Sequence, residues 1–213
     1  MQTQQDKPLV NTGGEQGILE AAEILFAEKG FDAVSMSAIA KLAKTSKPNI
    51  YHHFKNKNEL YYAIMEAAVQ RATDLLDALE DSPGTIRQRL ADFSAGQLEN
   101  ILLHDRSTQL ILREAFSGGS ERGRDIANQM VSKVFSRLVA MVEQGQLKEE
   151  FRDDINPSLA AFMIISTNMF YFQSKPVMEN NPENTFSGDA ATFNRLVTDI
   201  IFNGLIKQGN IAP

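Results

Sequence analysis

Apolar residues recur every three to four positions along this chain, and no segment shows the strict alternation that is typical of a β-strand. In the segment from Glu15 to Phe31 they form one stripe, made by Ile18, Ala21, Ala22, Leu25 and Phe26. Gly30 follows this stripe at a position where glycine favours the end of a helix. This spacing predicts an all-α protein.

Polar residues that favour helix N-termini mark where the next helices begin. Ser35 and Ser46 are each placed to cap a short helix, and Pro48 stands in the first turn of the second one, where a proline costs no hydrogen bond. Asn56, with Glu59 three residues later, is typical of a capping pair for a longer helix that ends before the sequence Asp-Ser-Pro-Gly. Further helices are predicted near 85–104, 106–116, 121–145, 157–176 and 188–208.

The composition limits the possible functions. The absence of cysteine excludes disulfides and thiolate chemistry. No apolar run reaches the roughly 18 residues that span a membrane, and the polar N-terminus lacks the apolar core of a signal peptide. We therefore expect a cytoplasmic protein without a membrane contact.

Charge is distributed unevenly along the chain. The net charge is −6, yet residues 33–58 contain five lysines and no acid. A basic patch on an acidic body is typical of a local contact with a polyanion. A solvated lysine-rich face explains the same pattern.

Two short helices joined by the sequence Ala-Lys-Thr-Ser are typical of a helix-turn-helix, whose second helix lies in the DNA major groove. The outer face of that second helix presents Lys47, Asn49, His52 and His53. An asparagine amide can bond an adenine edge, and a lysine can bond a guanine edge or a phosphate. Lys55 and Lys57 follow beside the N-terminus of the longer helix, which itself favours a phosphate.

The stretch 18–64 resembles the DNA-binding domain of the tetracycline-repressor (TetR) family, above all in the segment "SKPNIYHHFKNKNEL". The charge pattern and this resemblance together imply that DNA is contacted by Ser35, Ser37, Lys47, Pro48, Asn49, Tyr51, His52, Lys55 and Lys57. In the resemblance Lys57 clasps a phosphate, and the ring of Tyr51 either packs inside or faces the DNA. One departure is Lys44, where the family's turn usually has a left-handed glycine. A lysine there accepts about 1 kcal/mol of strain, adopts a different turn or adds a phosphate contact.

The polar N-terminus predicts a disordered tail over 1–13, and the resemblance implies a helix-turn-helix domain over 14–57 and a helical effector-binding and dimerisation domain over 58–213. The resemblance also implies an effector pocket in the last part, for which the candidates on apolar helix faces are Phe93, Ile111, Phe116, Met130, Met141, Phe162 and Phe170. Most such residues are ordinary core, but methionines suit adaptable binding walls.

The last two helices carry more apolar surface than one helix face needs. A two-fold four-helix bundle between two subunits would bury this surplus, through Phe162, Phe193, Leu196, Val197, Ile200, Ile201, Gly204 and Leu205. The alternative is burial within one subunit. The resemblance favours the dimer.

The remaining polar residues do not form a catalytic or metal-binding pattern. His52 and His53 are adjacent and diverge on a helix, and His104 stands alone. We therefore expect no enzyme, cofactor or metal. The resemblance to the TetR family implies a dimeric repressor that leaves a pseudo-palindromic operator when a small, largely apolar effector binds. An activator, or a regulator without an effector, is the alternative, and a hydrolase or carrier on the same helical bundle is a more distant one.

Overall fold

The computed structural model describes residues 14–116, 121–184 and 189–205, where it contains nine helices and no strand. The helices are α1 Glu15–Lys29, α2 Met36–Leu42, α3 Lys47–His53, α4 Lys57–Glu80, α5 Ile86–Leu103, α6 Asp105–Phe116, α7 Glu121–Leu147, α8 Pro157–Met178 and α9 Ala190–Leu205. The predicted all-α class is confirmed. The helix ends predicted from the sequence lie within a few residues of the observed ones.

The chain divides into two compact units. The first falls within Met1–Ala68 and Arg106–Ala127, and the second within Val69–Asp105 and Asn128–Pro213. The predicted helix-turn-helix domain, 14–57, belongs to the first unit, which also holds the start of α4 and nearly all of α6.

Three short helices of the first unit pack around a small apolar core. Ile18 and Phe26 of α1, Ile39 of α2 and Ile50 of α3 are fully buried there, and each of these helices contacts the other two. Because so few side chains hold α2 and α3 together, their geometry depends strongly on the caps and turns at their ends.

The predicted helix caps are confirmed. Ser35 Oγ accepts a hydrogen bond from the Ala38 N–H at 3.2 Å, and Ser46 Oγ accepts one from the Asn49 N–H at the same distance. Each cap satisfies one of the backbone N–H groups that a helix N-terminus leaves free. The two serines therefore fix where the helices of the helix-turn-helix begin.

Two side chains cap the start of α4. Asn56 Oδ1 accepts from the Glu59 N–H at 2.9 Å, and Glu59 Oε2 accepts from the Lys55 N–H at 2.7 Å. The glutamate thus reaches back one residue further than the usual capping box. This double cap fixes the direction in which the chain leaves α3.

The second unit is built around α5, α8 and α9, which contact one another. Its core is apolar and includes Phe93, Leu138, Val142, Phe151 and Phe202. α4 and α7 are joined at the surface, because Arg137 donates to both Asp77 and Glu80 at 2.6 Å. Within the described ranges, none of the helices is both long and apolar enough to cross a membrane.

A buried cluster of amides and hydroxyls links the three central helices of the second unit. Asn168 Nδ2 donates to the Ser94 carbonyl at 2.8 Å and to Gln97 Oε1 at 3.0 Å. Asn194 Nδ2 donates to Ser94 Oγ at 2.8 Å and to Asn168 Oδ1 at 3.2 Å. Because a buried polar group is costly without a partner, this network favours one packing arrangement of α5, α8 and α9 over others.

Candidate nucleic-acid interface

The turn between α2 and α3 keeps a left-handed residue although that residue is a lysine. Lys44 has a φ of 52°, and the chain closes behind it through a 2.9 Å bond from the Thr45 N–H to the Ala40 carbonyl. A side chain in this region costs roughly 1–2 kcal/mol compared with glycine. Of the three possibilities for Lys44, the structure shows the strained turn, with the side chain exposed to solvent.

The outer face of α3 is formed by Lys47, Pro48, Tyr51 and His52, all exposed. Ile50, on the opposite side, is fully buried, and Phe54 behind it is also buried. Tyr51 is 51% exposed, so its ring lies on the outer face and not in the core. These four side chains stand on one side of the helix, where a major groove can receive them.

The side chain of Asn49 is held by a hydrogen bond within its own chain. It is half-buried, and its Nδ2 donates to Thr45 Oγ1 at 2.9 Å. An amide nitrogen carries two N–H bonds, so this bond uses one of them and ties the amide to the turn. A two-point contact with adenine must therefore use the amide in the orientation that Thr45 sets.

His53 does not share the outer face with His52. Its ring is half-buried, and Nδ1 lies 3.8 Å from Glu15 Oε2 at the start of α1. The sequence placed both histidines on the DNA face, but adjacent residues on a helix point about 100° apart. The structure corrects this for His53, which faces α1.

The start of α2 offers two exposed serines. Ser35 Oγ accepts the capping bond of the helix, and Ser37 lies two residues further on. The N-terminal turn also supplies backbone N–H groups and the positive end of a helix dipole. Ser35 keeps its hydroxyl hydrogen after it has accepted the capping bond, so both exposed serines can donate to a DNA phosphate.

Lys55, which precedes α4, and Lys57, which is its first residue, differ in how far they are exposed. Lys55 is exposed, but Lys57 is half-buried, and its Nζ donates to the Phe31 carbonyl at 2.8 Å and to the Val34 carbonyl at 3.0 Å. Both lysines were predicted to contact DNA. The structure separates them, because Lys57 turns its ammonium group towards its own chain.

Four of the five lysines of this segment are exposed in the folded chain. Lys41, Lys44, Lys47 and Lys55 are exposed, and residues 33–58 contribute no carboxylate. The part of the chain that the structure describes contains no group of three His, Cys, Asp or Glu side chains that could hold a metal ion. The segment therefore presents four ammonium groups to solvent.

The residues predicted for an effector pocket are spread over different environments. Phe93 and Met141 are buried in the apolar core, Ile111 is half-buried, and Phe162 and Phe170 are 59% and 66% exposed. The side chains of Phe116 and Met130 lie outside the described residues. A groove of about 740 Å³ between α5 and the start of α9 is lined by none of the seven.

The residues predicted for a subunit interface divide into two groups. Phe193, Ile201 and Leu205 are buried within their own chain, whereas Phe162, Leu196 and Ile200 are exposed, Ile200 at 73%. Val197 is half-buried, and Gly204 has open space around it. Leu159 and Met163, which the predicted set does not include, are also exposed. Spacings of three from Leu159 to Phe162 and of four from Leu159 to Met163 place these side chains on one side of α8.

This arrangement defines a helix-turn-helix DNA-binding protein with a helical second unit. Residues 18–64 match the family model for "Bacterial regulatory proteins, tetR family". The HTH-type transcriptional regulator YdeS of Bacillus subtilis is 30% identical over 168 residues, which cover 77% of this chain and 80% of that protein. The chain belongs to the TetR family of transcriptional regulators.

Two further similarities extend over most of the chain. The HTH-type transcriptional repressor NicS of Pseudomonas putida is 26% identical over 168 residues, covering 76% of this chain and 77% of that protein. The crystal structure of the regulator FadR from Bacillus subtilis, in complex with stearoyl-CoA, superposes with a TM-score of 0.70 at 19% identity and covers 90% of this chain and 99% of that one. At that identity the second similarity concerns the fold.

Proposed function

We propose that this regulator is a repressor that binds a pseudo-palindromic operator as a homodimer and leaves it when a small, largely apolar effector binds the second unit. The observation that carries the DNA-binding part is the outer face of α3, where Lys47, Pro48, Tyr51 and His52 stand exposed. They lie within residues 33–58, a stretch that contains no acidic residue. Such a face suits base edges and phosphates of the major groove.

The dimer is supported by the apolar side chains that α8 and α9 leave exposed. On α8 these are Leu159, Phe162, Met163 and Phe170, and on α9 they are Leu196 and Ile200. Large apolar side chains left exposed on two neighbouring helices favour an interaction site. A two-fold partner would cover them with the same residues, and the dimer would present one α3 for each half-site of a pseudo-palindromic operator.

Repression and release by a ligand are supported by the relatives. NicS carries the name of a repressor, and FadR was crystallised with a long-chain acyl-CoA. The second unit of this chain has an aliphatic and aromatic core with few charges, which suits a ligand with a large apolar part. Its affinity for DNA falls if the ligand favours a conformation in which both half-sites cannot be engaged together.

The experiment is a titration of operator DNA, obtained by footprinting the DNA upstream of the gene, with and without candidate effectors. Long-chain and short-chain acyl-CoA serve as the first probes, with free coenzyme A as the matched control. We expect release by an acyl form and not by coenzyme A, together with higher expression of the adjacent gene when the regulator is deleted. Lower expression on deletion indicates an activator, and tight binding that no ligand in a wider panel reverses indicates a regulator without an effector.

A further inference from the structure

The ammonium group of Lys57 bonds to the turn that precedes the helix-turn-helix. It donates to the Phe31 carbonyl at 2.8 Å and to the Val34 carbonyl at 3.0 Å, and it lies 4.1 Å from the centre of the Phe31 ring. Phe31 and Val34 belong to the turn between α1 and α2, and Lys57 is the first residue of α4. The contact therefore joins residues 23 and 26 positions apart.

The position of this contact in the chain gives it a specific consequence. Val34 immediately precedes Ser35, the cap of α2, and Lys57 follows Phe54, the end of α3, by three residues. One side chain thus ties together the two ends of the segment that contains both helices of the helix-turn-helix. Closing a loop in the folded state limits how far α2 and α3 can shift relative to their surroundings.

Lys57 supplies the shorter of two hydrogen bonds to the Phe31 carbonyl. The other is a bond of 3.3 Å from the Val34 N–H within the turn. Hydrogen bonds from a charged donor are shorter and stronger than those between neutral groups, and the half-buried position of Lys57 reduces their exposure to water. The ring of Phe31 adds an attraction for the cation.

An aromatic cluster holds Phe31 in place for this contact. Its ring lies 5.0 Å from the ring of Tyr61 and 5.7 Å from the ring of Phe26. Tyr61 is one helical turn beyond Lys57, so α4 contacts Phe31 with two successive side chains on one face. The turn is therefore fixed both by packing and by the ammonium group.

We propose that Lys57 is a positioning residue, which sets the N-terminus of α2 against the DNA and contributes no phosphate contact of its own. Two of its three N–H bonds are already used within the chain. The exposed Lys55 and Ser37 then make the backbone contacts that the position of α2 and α4 allows. This inference rests on DNA binding by the helix-turn-helix.

The test compares Lys57→Met, which keeps most of the apolar stem, with Lys55→Met as the matched control. Operator affinity is measured at several salt concentrations, where each phosphate contact contributes about 0.9 to the slope of log K against log salt. We expect Lys55→Met to lower the slope by about that amount. Lys57→Met is expected to lower affinity at every salt concentration while leaving the slope unchanged, and a slope lowered as in Lys55→Met overturns the proposal.

A second readout separates positioning from a general loss of stability. Ser37→Ala is expected to weaken operator binding severalfold in the wild-type chain and to have little further effect in the Lys57→Met chain, because the misplaced α2 no longer brings Ser37 to the phosphate. Both measurements are made well below the unfolding temperature. An equal effect of Ser37→Ala in the two chains contradicts the proposal.

If Lys57→Met does not fold, Lys57→Gln serves in its place, because the amide still donates to a carbonyl but carries no charge. Positioning predicts an unchanged salt slope for this variant, and a phosphate contact predicts a slope lowered by about 0.9. Thermal unfolding needs no DNA, so it tests the hydrogen bonds from Lys57 to the Phe31 and Val34 carbonyls even if the proposed operator binding fails. A Lys57→Met variant with the wild-type unfolding midpoint overturns the proposal on its own.

Discussion

The hydroxyl of Tyr61 on α4 donates a 2.8 Å hydrogen bond to Oε1 of Glu114 on α6. Both side chains are buried, and Glu114 Oε2 has no hydrogen-bond partner among the described residues. Burial, and then the bond to the carboxylate, raises the pKa of Tyr61 well above its ordinary value. Tyr61 therefore remains protonated in the folded chain at a pH where an exposed tyrosine ionises.

The first prediction follows from the direction of this pKa shift. Above about pH 10 Tyr61 loses its proton in the unfolded chain but keeps it in the folded chain. Its contribution to stability is therefore complete below that pH and is lost as the pH rises further. Tyr61→Phe removes this contribution, and the free energy of unfolding of the wild type is expected to approach that of the variant as the pH rises from about 10 to about 12. Denaturant unfolding of both chains measures it, and a constant difference over this range contradicts the shift.

The second prediction concerns the strained turn. Lys44→Gly relieves the steric cost at a φ of 52°, whereas Lys44→Ala removes the charge but keeps the Cβ atom. The glycine variant is expected to be more stable than the alanine variant by about 1 kcal/mol, although glycine is normally the less favourable of the two. Urea unfolding of the pair gives this difference. An alanine variant at least as stable as the glycine variant shows that the turn is not left-handed in solution.

The third prediction tests the subunit interface. Ile200 is 73% exposed in the single chain, so Ile200→Asp is expected to leave each subunit folded but to place an unpaired charge in the proposed dimer contact, which costs several kcal/mol. Sedimentation should then show folded monomers with much weaker operator binding.

The matched control for the interface is Leu147→Asp, because Leu147 is 84% exposed and ends α7 outside the predicted interface. It should remain a dimer. The neighbouring Ile201 is unsuitable, because it is buried within its own chain and its replacement disturbs the fold. An Ile200→Asp protein that remains dimeric would place the interface elsewhere.

The fourth prediction concerns base reading by Asn49. If the amide that Thr45 orients makes a two-point contact with adenine, Asn49→Ala costs about 1–3 kcal/mol at one base pair in each half-site. Thr45→Val removes the acceptor of the 2.9 Å bond and is expected to weaken the same preference to a smaller extent. Competition binding with operators changed at single base pairs measures both effects. A uniform loss over all operators assigns Asn49 to the turn alone.

Features that depend on neighbours in the sequence could be predicted. The caps at Ser35 and Ser46 are encoded within three residues of each helix start, and Ile39 and Ile50 follow the helical period. The bond between Tyr61 and Glu114 joins residues 53 positions apart, and no local pattern indicates it. Lys57 shows the same limit, since only the folded turn brings two carbonyl groups to its ammonium group.

Helix α8 shows why apolar residues were harder to assign. Ala160, Ala161 and Ile164 face the core, whereas Phe162 and Phe170 on the same helix are exposed. Because both faces are apolar, the period of the sequence does not distinguish core from surface. Which of these side chains are buried therefore became clear only from the packing of α5, α8 and α9.

Selection of binding sites from random double-stranded DNA tests most directly whether this chain reads an operator through α3 as a dimer. The wild type is expected to enrich a pseudo-palindrome whose half-sites are centred about one helical turn apart. Lys47→Ala, which changes an exposed residue of α3, should enrich the same palindrome with the preference weakened at one base pair in each half. Enrichment of no sequence, of a single unrepeated half-site, or of an unchanged motif by Lys47→Ala would contradict the proposed mode of recognition.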